Sequence, residues 1–237
     1  MDKVLERRGQ GKGWHDAVCF SPQADLVGGI LITGIGIDAH RHIRGRSDHL
    51  LLATLPVLLG VHQLVEDFVW WGLQGHVPHE VGRIALWAYL VIAFVVLPIF
   101  IPLAVMALEP TRERKRRMVP FIALGAVVSL YLLVAMIRGP VSATLHPWHI
   151  AYHIALSYGG VVVGAYVVAI CGALLFSGYR HVVIFGLGNL IVVAVLARLT
   201  IDGFASLWCG YAAISSGFIA AHMRYAKPHR DMPYALT

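Results

Sequence analysis

The chain has 237 residues, of which 58% are hydrophobic and only 14% charged, with a formal net charge of +6. Soluble proteins carry roughly 25% charged residues, whereas the roughly 137 apolar residues here would nearly fill seven membrane spans of ~20 residues each. The composition excludes a soluble globular domain, a disordered chain and a nucleic-acid-binding module, and apolar runs in place of alternation exclude a porin-like barrel.

Residues 1–18 are polar and basic, unlike anything that follows. They are expected to be an extension outside the fold, with Val18 as an alternative start. The membrane domain is then expected over 19–223 and a cytosolic tail over 224–237. Seven apolar runs can be drawn, at about 22–39, 50–73, 84–108, 119–137, 150–176, 182–197 and 202–222. The first has a clear helical start: Ser21 can cap, Pro22 suits the first helical position, and Asp25 complements the positive end of the dipole. Gly160 and Gly164 give the fifth run a small-xxx-small face suited to close helix packing. Between the sixth and seventh runs only residues 198–203 interrupt about forty apolar positions, twice what a bilayer accommodates, so a tight turn is expected. The predicted fold is all-α, a seven-transmembrane-helix bundle.

Basic residues set the orientation. Twelve of the 19 Lys and Arg residues fall on one side, among them Arg41, Arg44, Arg46 and the run over 112–117. By the positive-inside rule that side is cytosolic, which puts the amino terminus outside and the carboxy terminus inside. The expected location is the cell membrane of a bacterium, with membrane lipids as partners and self-association into a homo-oligomer as an open alternative. The three cysteines, Cys19, Cys171 and Cys209, form neither a disulfide framework nor a metal spacing.

Five charged residues enter the runs, and all are acidic: Asp25, Asp38, Glu66, Asp67 and Asp202. Asp25, Asp38 and Asp202 lie near helix ends, where capping or interfacial pairing accounts for them. Glu66 lies deeper, roughly 6 Å below the outer surface at 1.5 Å per residue, where an ionisable group ordinarily faces a polar cavity or a partner. His62 stands one turn from Glu66 on the same face. His149 and His153, read at i, i+4 on a fifth helix, would reach a similar depth. His62, Glu66, His149, His153 and Asp202 could then converge in one outward-facing pocket, with the three histidines suited to zinc or non-haem iron. The bland reading is that His62 and Glu66 pair to fix helix packing and that the other two histidines snorkel at the interface. Asp67, about 100° around the helix from Glu66, is expected to meet a neighbouring helix or a headgroup. All six tryptophans, Trp14, Trp70, Trp71, Trp87, Trp148 and Trp208, fall on the predicted outer side. That suggests either an outer aromatic belt or an aromatic-walled site.

The segment from Cys19 to Asp25 (Cys-Phe-Ser-Pro-Gln-Ala-Asp), Gln63 with Glu66 and Trp70 on the second run, and Trp208-Cys209 on the last resemble an uncharacterised bacterial membrane family. Its members open with Met-Cys-Phe-Ser and carry Gln-x-x-Glu with Trp on the second span and Trp-Cys on the last. The resemblance implies that Gln63, Glu66, Trp70 and Cys209 matter to a site, and brings no function with it. In architecture alone, seven spans are also similar to the membrane hydrolases related to alkaline ceramidases and adiponectin receptors, whose paired histidines lie on the last helix.

Three functions follow as expectations. The first is metal-assisted hydrolysis of a lipid-like substrate, with His62, His149 and His153 on the metal and Glu66 as catalytic base. The second is a non-enzymatic membrane sensor or small-molecule-binding protein that uses the same pocket without chemistry, with Gln63, Trp70, Asp202, Trp208 and Cys209 as ligand-binding candidates. The third is a proton-coupled permease, against which stands the absence of an inverted repeat.

Overall fold

The computed structural model describes residues 22–43, 47–146, 149–199 and 215–219. It is mostly helical. Helix α1 spans Pro22–Arg41, starting at the expected proline, and a short 3₁₀ turn at Ser47–His49 leads into α2, Leu50–Leu73. Helix α3 (His79–Val91) runs through a π-helical segment (Ile92–Val96) into α4 (Leu97–Leu108), and α5 follows at Arg112–Arg138. Strands β1 (Val141–Leu145) and β2 (Ile150–Ile154) pair antiparallel as a hairpin. The chain continues with α6 (Gly159–Leu175) and α7 (Arg180–Leu199), and residues 215–219 are helical. Three helices are long and apolar enough to cross a membrane: Leu50–Leu73, the continuous His79–Leu108, and Arg112–Arg138. Together they mark a membrane protein.

The expected fifth run does not hold as one helix. Residues 150–154 are a strand, and the helix begins only at Gly159. Tyr158 sits in the left-handed region, with φ 58°, at the turn between them. An apolar stretch this short is compatible with either state by pattern alone. Here the partner strand 141–145 and the breaker Gly159-Gly160 decide for the hairpin. The seventh run lies outside the described residues except for 215–219.

Close helix crossings occur at glycines other than the expected pair. Among the described residues, Gly160 and Gly164 meet nothing within 4 Å. Instead α1 and α2 cross with their backbones in contact. A Cβ on Gly60 would lie 2.6 Å from the Thr33 nitrogen and 2.9 Å from the Gly29 carbonyl, and one on Gly36 would lie 2.7 Å from the Val57 nitrogen. Near the other end of α2, Gly72 and Gly82 put α2 and α3 in similar contact. Small residues at such crossings let helices approach closely where no hydrophobic drive operates.

The π segment has a chemical cause. The Leu97 N–H bonds the Ile92 carbonyl, five residues back. In that register the Ala93 carbonyl would be met by residue 98, which is proline and has no N–H. The Tyr166 hydroxyl on α6 donates to Ala93 O instead, at 2.8 Å, and Ser129 on α5 donates to Val95 O at 2.9 Å. A side chain of a neighbouring helix thus replaces the bond that proline denies Ala93, and a second one supplements the ladder at Val95, as hydrocarbon requires.

Two core clusters result. One joins Ile32, Leu52, Leu59, Val105, Met118 and Leu174; the other joins Val69, Trp70, Ala85, Tyr89, Met136 and Ile150, so the hairpin is packed onto α2 and α3.

Two outcomes are expected. Gly60→Leu overpacks the α1–α2 crossing and should cost about 2 kcal/mol, lowering the unfolding midpoint by roughly 4–8 °C, while Gly34→Ala, in open space, should be neutral. Tyr166→Phe should cost about 1–3 kcal/mol by orphaning the Ala93 carbonyl. Adding Pro98→Ala, which restores an N–H, should recover part of that loss in a thermal-unfolding double-mutant cycle.

Candidate functional site

Helix α2 combines a mostly apolar buried face with four buried polar side chains. It buries His62, Gln63, Glu66 and Asp67, while Val61 and Phe68 are exposed. Such an arrangement suits lipid outside and polar contact inside. The four polar side chains divide into two pairs at i, i+4, about 100° apart around the helix.

The first pair is His62 and Glu66, facing α3 and the hairpin. The His62 imidazole stacks on the Tyr89 ring, with centroids 4.0 Å apart, and Tyr89 stacks on Tyr152 at 4.6 Å. His62 Nε2 lies 3.2 Å from the Tyr89 carbonyl, which fixes Nε2 as the protonated, donating nitrogen. The Tyr152 hydroxyl donates to Glu66 Oε1 at 3.1 Å. His62 and Glu66 are therefore bridged by two tyrosines from separate elements. Glu66 is fully buried.

The hairpin changes the expected role of its histidines. Along a strand, side chains alternate faces, so Tyr152 points to Glu66 while its neighbour His153 is exposed and pairs with Thr144 Oγ1 at 3.0 Å. His149 stacks on His146 with centroids 4.9 Å apart. The helical i, i+4 geometry assumed for His149 and His153 is replaced by a strand, along which four residues span ~13 Å. Among the described residues no group of three or more His, Cys, Asp or Glu is placed to hold a metal ion. His62, His149 and His153 are thus not brought to one centre.

The second pair is Gln63 and Asp67, facing α1. Gln63 Oε1 lies 3.1 Å from where a Cβ on Gly28 would stand. Asp25, one turn earlier on α1, is near enough for its negative charge to repel that of Asp67. Asp25 is not a simple cap at the helix end. It is 3% exposed and accepts a hydrogen bond from the Trp70 indole, Nε1 to Oδ2, at 3.0 Å. Trp70 is accordingly part of the α1–α2 contact. Asp202, Trp208 and Cys209 lie outside the described residues.

A family model matches residues 18–232. The chain belongs to the DUF6629 family, a family of unknown function. No curated protein and no solved structure matches the chain. Membership thus agrees with a resemblance that carried no activity.

Beyond the expected residues, this member of the family buries polar groups that the sequence pattern did not single out. Tyr89 and Tyr152 complete the stack, and their signal was hidden because aromatic residues on apolar elements ordinarily read as core. At the opposite end of the bundle, Glu109 caps α4 and is 1% exposed. Its Oε1 accepts from Ser177 Oγ and from the Gly178 N–H, both at 2.8 Å. The α4–α5 and α6–α7 connections are thereby tied together, with the Arg114 guanidinium also reaching Gly178.

Tyr152→Phe removes the hydroxyl bond to a buried carboxylate and should destabilise the protein by about 1.5–3 kcal/mol, with faster proteolysis in the 141–154 hairpin. Glu66→Gln retains an acceptor oxygen and should cost less in the same unfolding measurement.

Proposed function

We propose that this chain is a seven-span protein of the cell membrane, amino terminus outside and carboxy terminus inside, that binds a small polar solute in its outer half without transforming it. The single observation behind this reading is the buried polar surface of α2. Four hydrogen-bonding side chains lie on an apolar helix, and ionisable groups in such helices are expensive unless they serve a ligand or a partner. Orientation draws support from Glu109, which joins the α4–α5 and α6–α7 connections at one end. That end carries the run Arg112, Arg114, Lys115, Arg116 and Arg117 together with Arg180, as the positive-inside rule asks of a cytosolic face.

A hydrolytic zinc or iron centre is the competing reading. It would need His62 to leave the Tyr89 ring and His153 to leave Thr144, so the binding role accords better with the geometry.

Two measurements test the proposal. An impermeant thiol reagent applied to intact cells should label a cysteine placed at Ala143 and spare one placed at Glu113, in a background lacking the native cysteines; the reverse pattern would refute the orientation. The full-length protein in lipid nanodiscs should be stabilised by at least one class of small solute among amines, amino acids, sugars, phosphate and inorganic cations. A solute at 100 times its dissociation constant adds about 2.7 kcal/mol and raises the midpoint by roughly 5–10 °C. A panel in which no class stabilises the protein would sink the binding role.

A further inference from the structure

The two polar pairs on α2 differ in how far the protein satisfies them. Glu66 receives the Tyr152 hydroxyl and His62 meets the Tyr89 carbonyl. Asp67 is 1% exposed, and neither of its carboxylate oxygens has a hydrogen-bond partner among the described residues. Gln63 is 3% exposed, and its Oε1 is likewise unmet. These three acceptor atoms share the α1-facing side of α2, one turn apart, with the Asp25 carboxylate opposite and the Trp70 indole fastened to it.

A buried acceptor without a donor carries its full desolvation cost, and a carboxylate carries more. Asp25 aggravates this, because its charge has the same sign. The missing complement is therefore positive and rich in hydrogen-bond donors. Its size is limited by the crossing itself, since Gly29 and Gly60 bring the two backbones into contact just below Gln63. A hard divalent ion is a poor match, since magnesium and calcium take six or more oxygen ligands. An ammonium group brings one positive charge and three or four N–H donors in about the volume of a water molecule.

We propose that the α1–α2 seam binds an ammonium-type cation, either free ammonium or the terminal ammonium of a primary amine, on Asp67 and Gln63 with Asp25 supplying the opposing negative charge. This deepens the reading of the protein as a solute-binding membrane protein and rests on it.

The test uses the full-length protein in phosphatidylcholine nanodiscs, which contain no primary amine. Ammonium chloride and ethylamine hydrochloride are titrated at matched ionic strength against sodium and potassium chloride, following tryptophan fluorescence and the unfolding midpoint. Both ammonium probes should give a saturable fluorescence change and a raised midpoint, with sodium and potassium at least tenfold weaker. Asp67→Asn should weaken the response at least tenfold, and Gln63→Leu and Asp25→Asn should each weaken it severalfold. Trp70→Phe, which removes the indole donor that holds Asp25, should abolish most of the fluorescence change and weaken the rise in midpoint. If Asp67→Asn fails to fold, Gln63→Leu and Asp25→Asn carry the test. Nanodiscs containing phosphatidylethanolamine separate the two sources: a response already saturated there assigns the site to the lipid amine, and an unchanged titration assigns it to a free solute. The proposal is overturned if neither ammonium probe gives a saturable response, if sodium or potassium acts equally, or if the variants respond like the parent. Stabilisation by a different solute class alone would leave the binding role standing and remove the ammonium assignment.

Discussion

Hydrocarbon offers no hydrogen bonds, and that constraint organises the described part of this protein. Each polar group placed within a span has to be met by another part of the chain or by a bound partner. Glu66 draws the hairpin onto α2 through Tyr152, and Asp25 draws Trp70 across the α1–α2 crossing. The Ala93 and Val95 carbonyls draw Tyr166 and Ser129 from two neighbouring helices. Apolar side chains supply packing volume around these contacts but cannot specify register, because lipid tails are as apolar as leucine.

The same constraint explains what could be read from the sequence. The second span matched its observed bounds, because Leu50–Leu73 is long, apolar and free of strong breakers apart from Pro56, which a membrane helix tolerates. The start of α1 at Pro22 was legible from its local chemistry. The third apolar run begins five residues after the start of its helix, since His79 to Arg83 are too polar to register as apolar although they complete the helix. Glu66 and Asp67 were legible as residues that need partners, for they break an otherwise apolar pattern.

The identity of the partners was not legible. Tyr152 and His153 are adjacent, and only the strand alternation decides which of them reaches Glu66. A helical reading selects the histidine and a strand reading selects the tyrosine. Asp25 lies near a helix end, where capping would account for it, yet the close α1–α2 approach permitted by Gly29, Gly36 and Gly60 carries it into a buried contact. Backbone proximity of that kind depends on which glycines face each other, which spacing within one helix does not reveal: Gly160 and Gly164 have the expected interval and meet nothing within 4 Å among the described residues.

The polar face of α2 also bears on how the chain enters the bilayer. It is the least apolar of the three long helices, and a single central acidic residue disfavours insertion by about 2.5–3.5 kcal/mol on translocon scales. The strongly apolar helix His79–Leu108 follows after only five residues, 74–78, with Gly72 and Gly82 already in backbone contact across the turn. The two can therefore partition into lipid as a pre-paired hairpin, with Glu66 and His62 turned toward α3 and away from the acyl chains. Biogenesis of the polar centre then depends on the helix that comes after it, and a chain truncated before His79 would leave its acidic segment without the partner that makes insertion favourable.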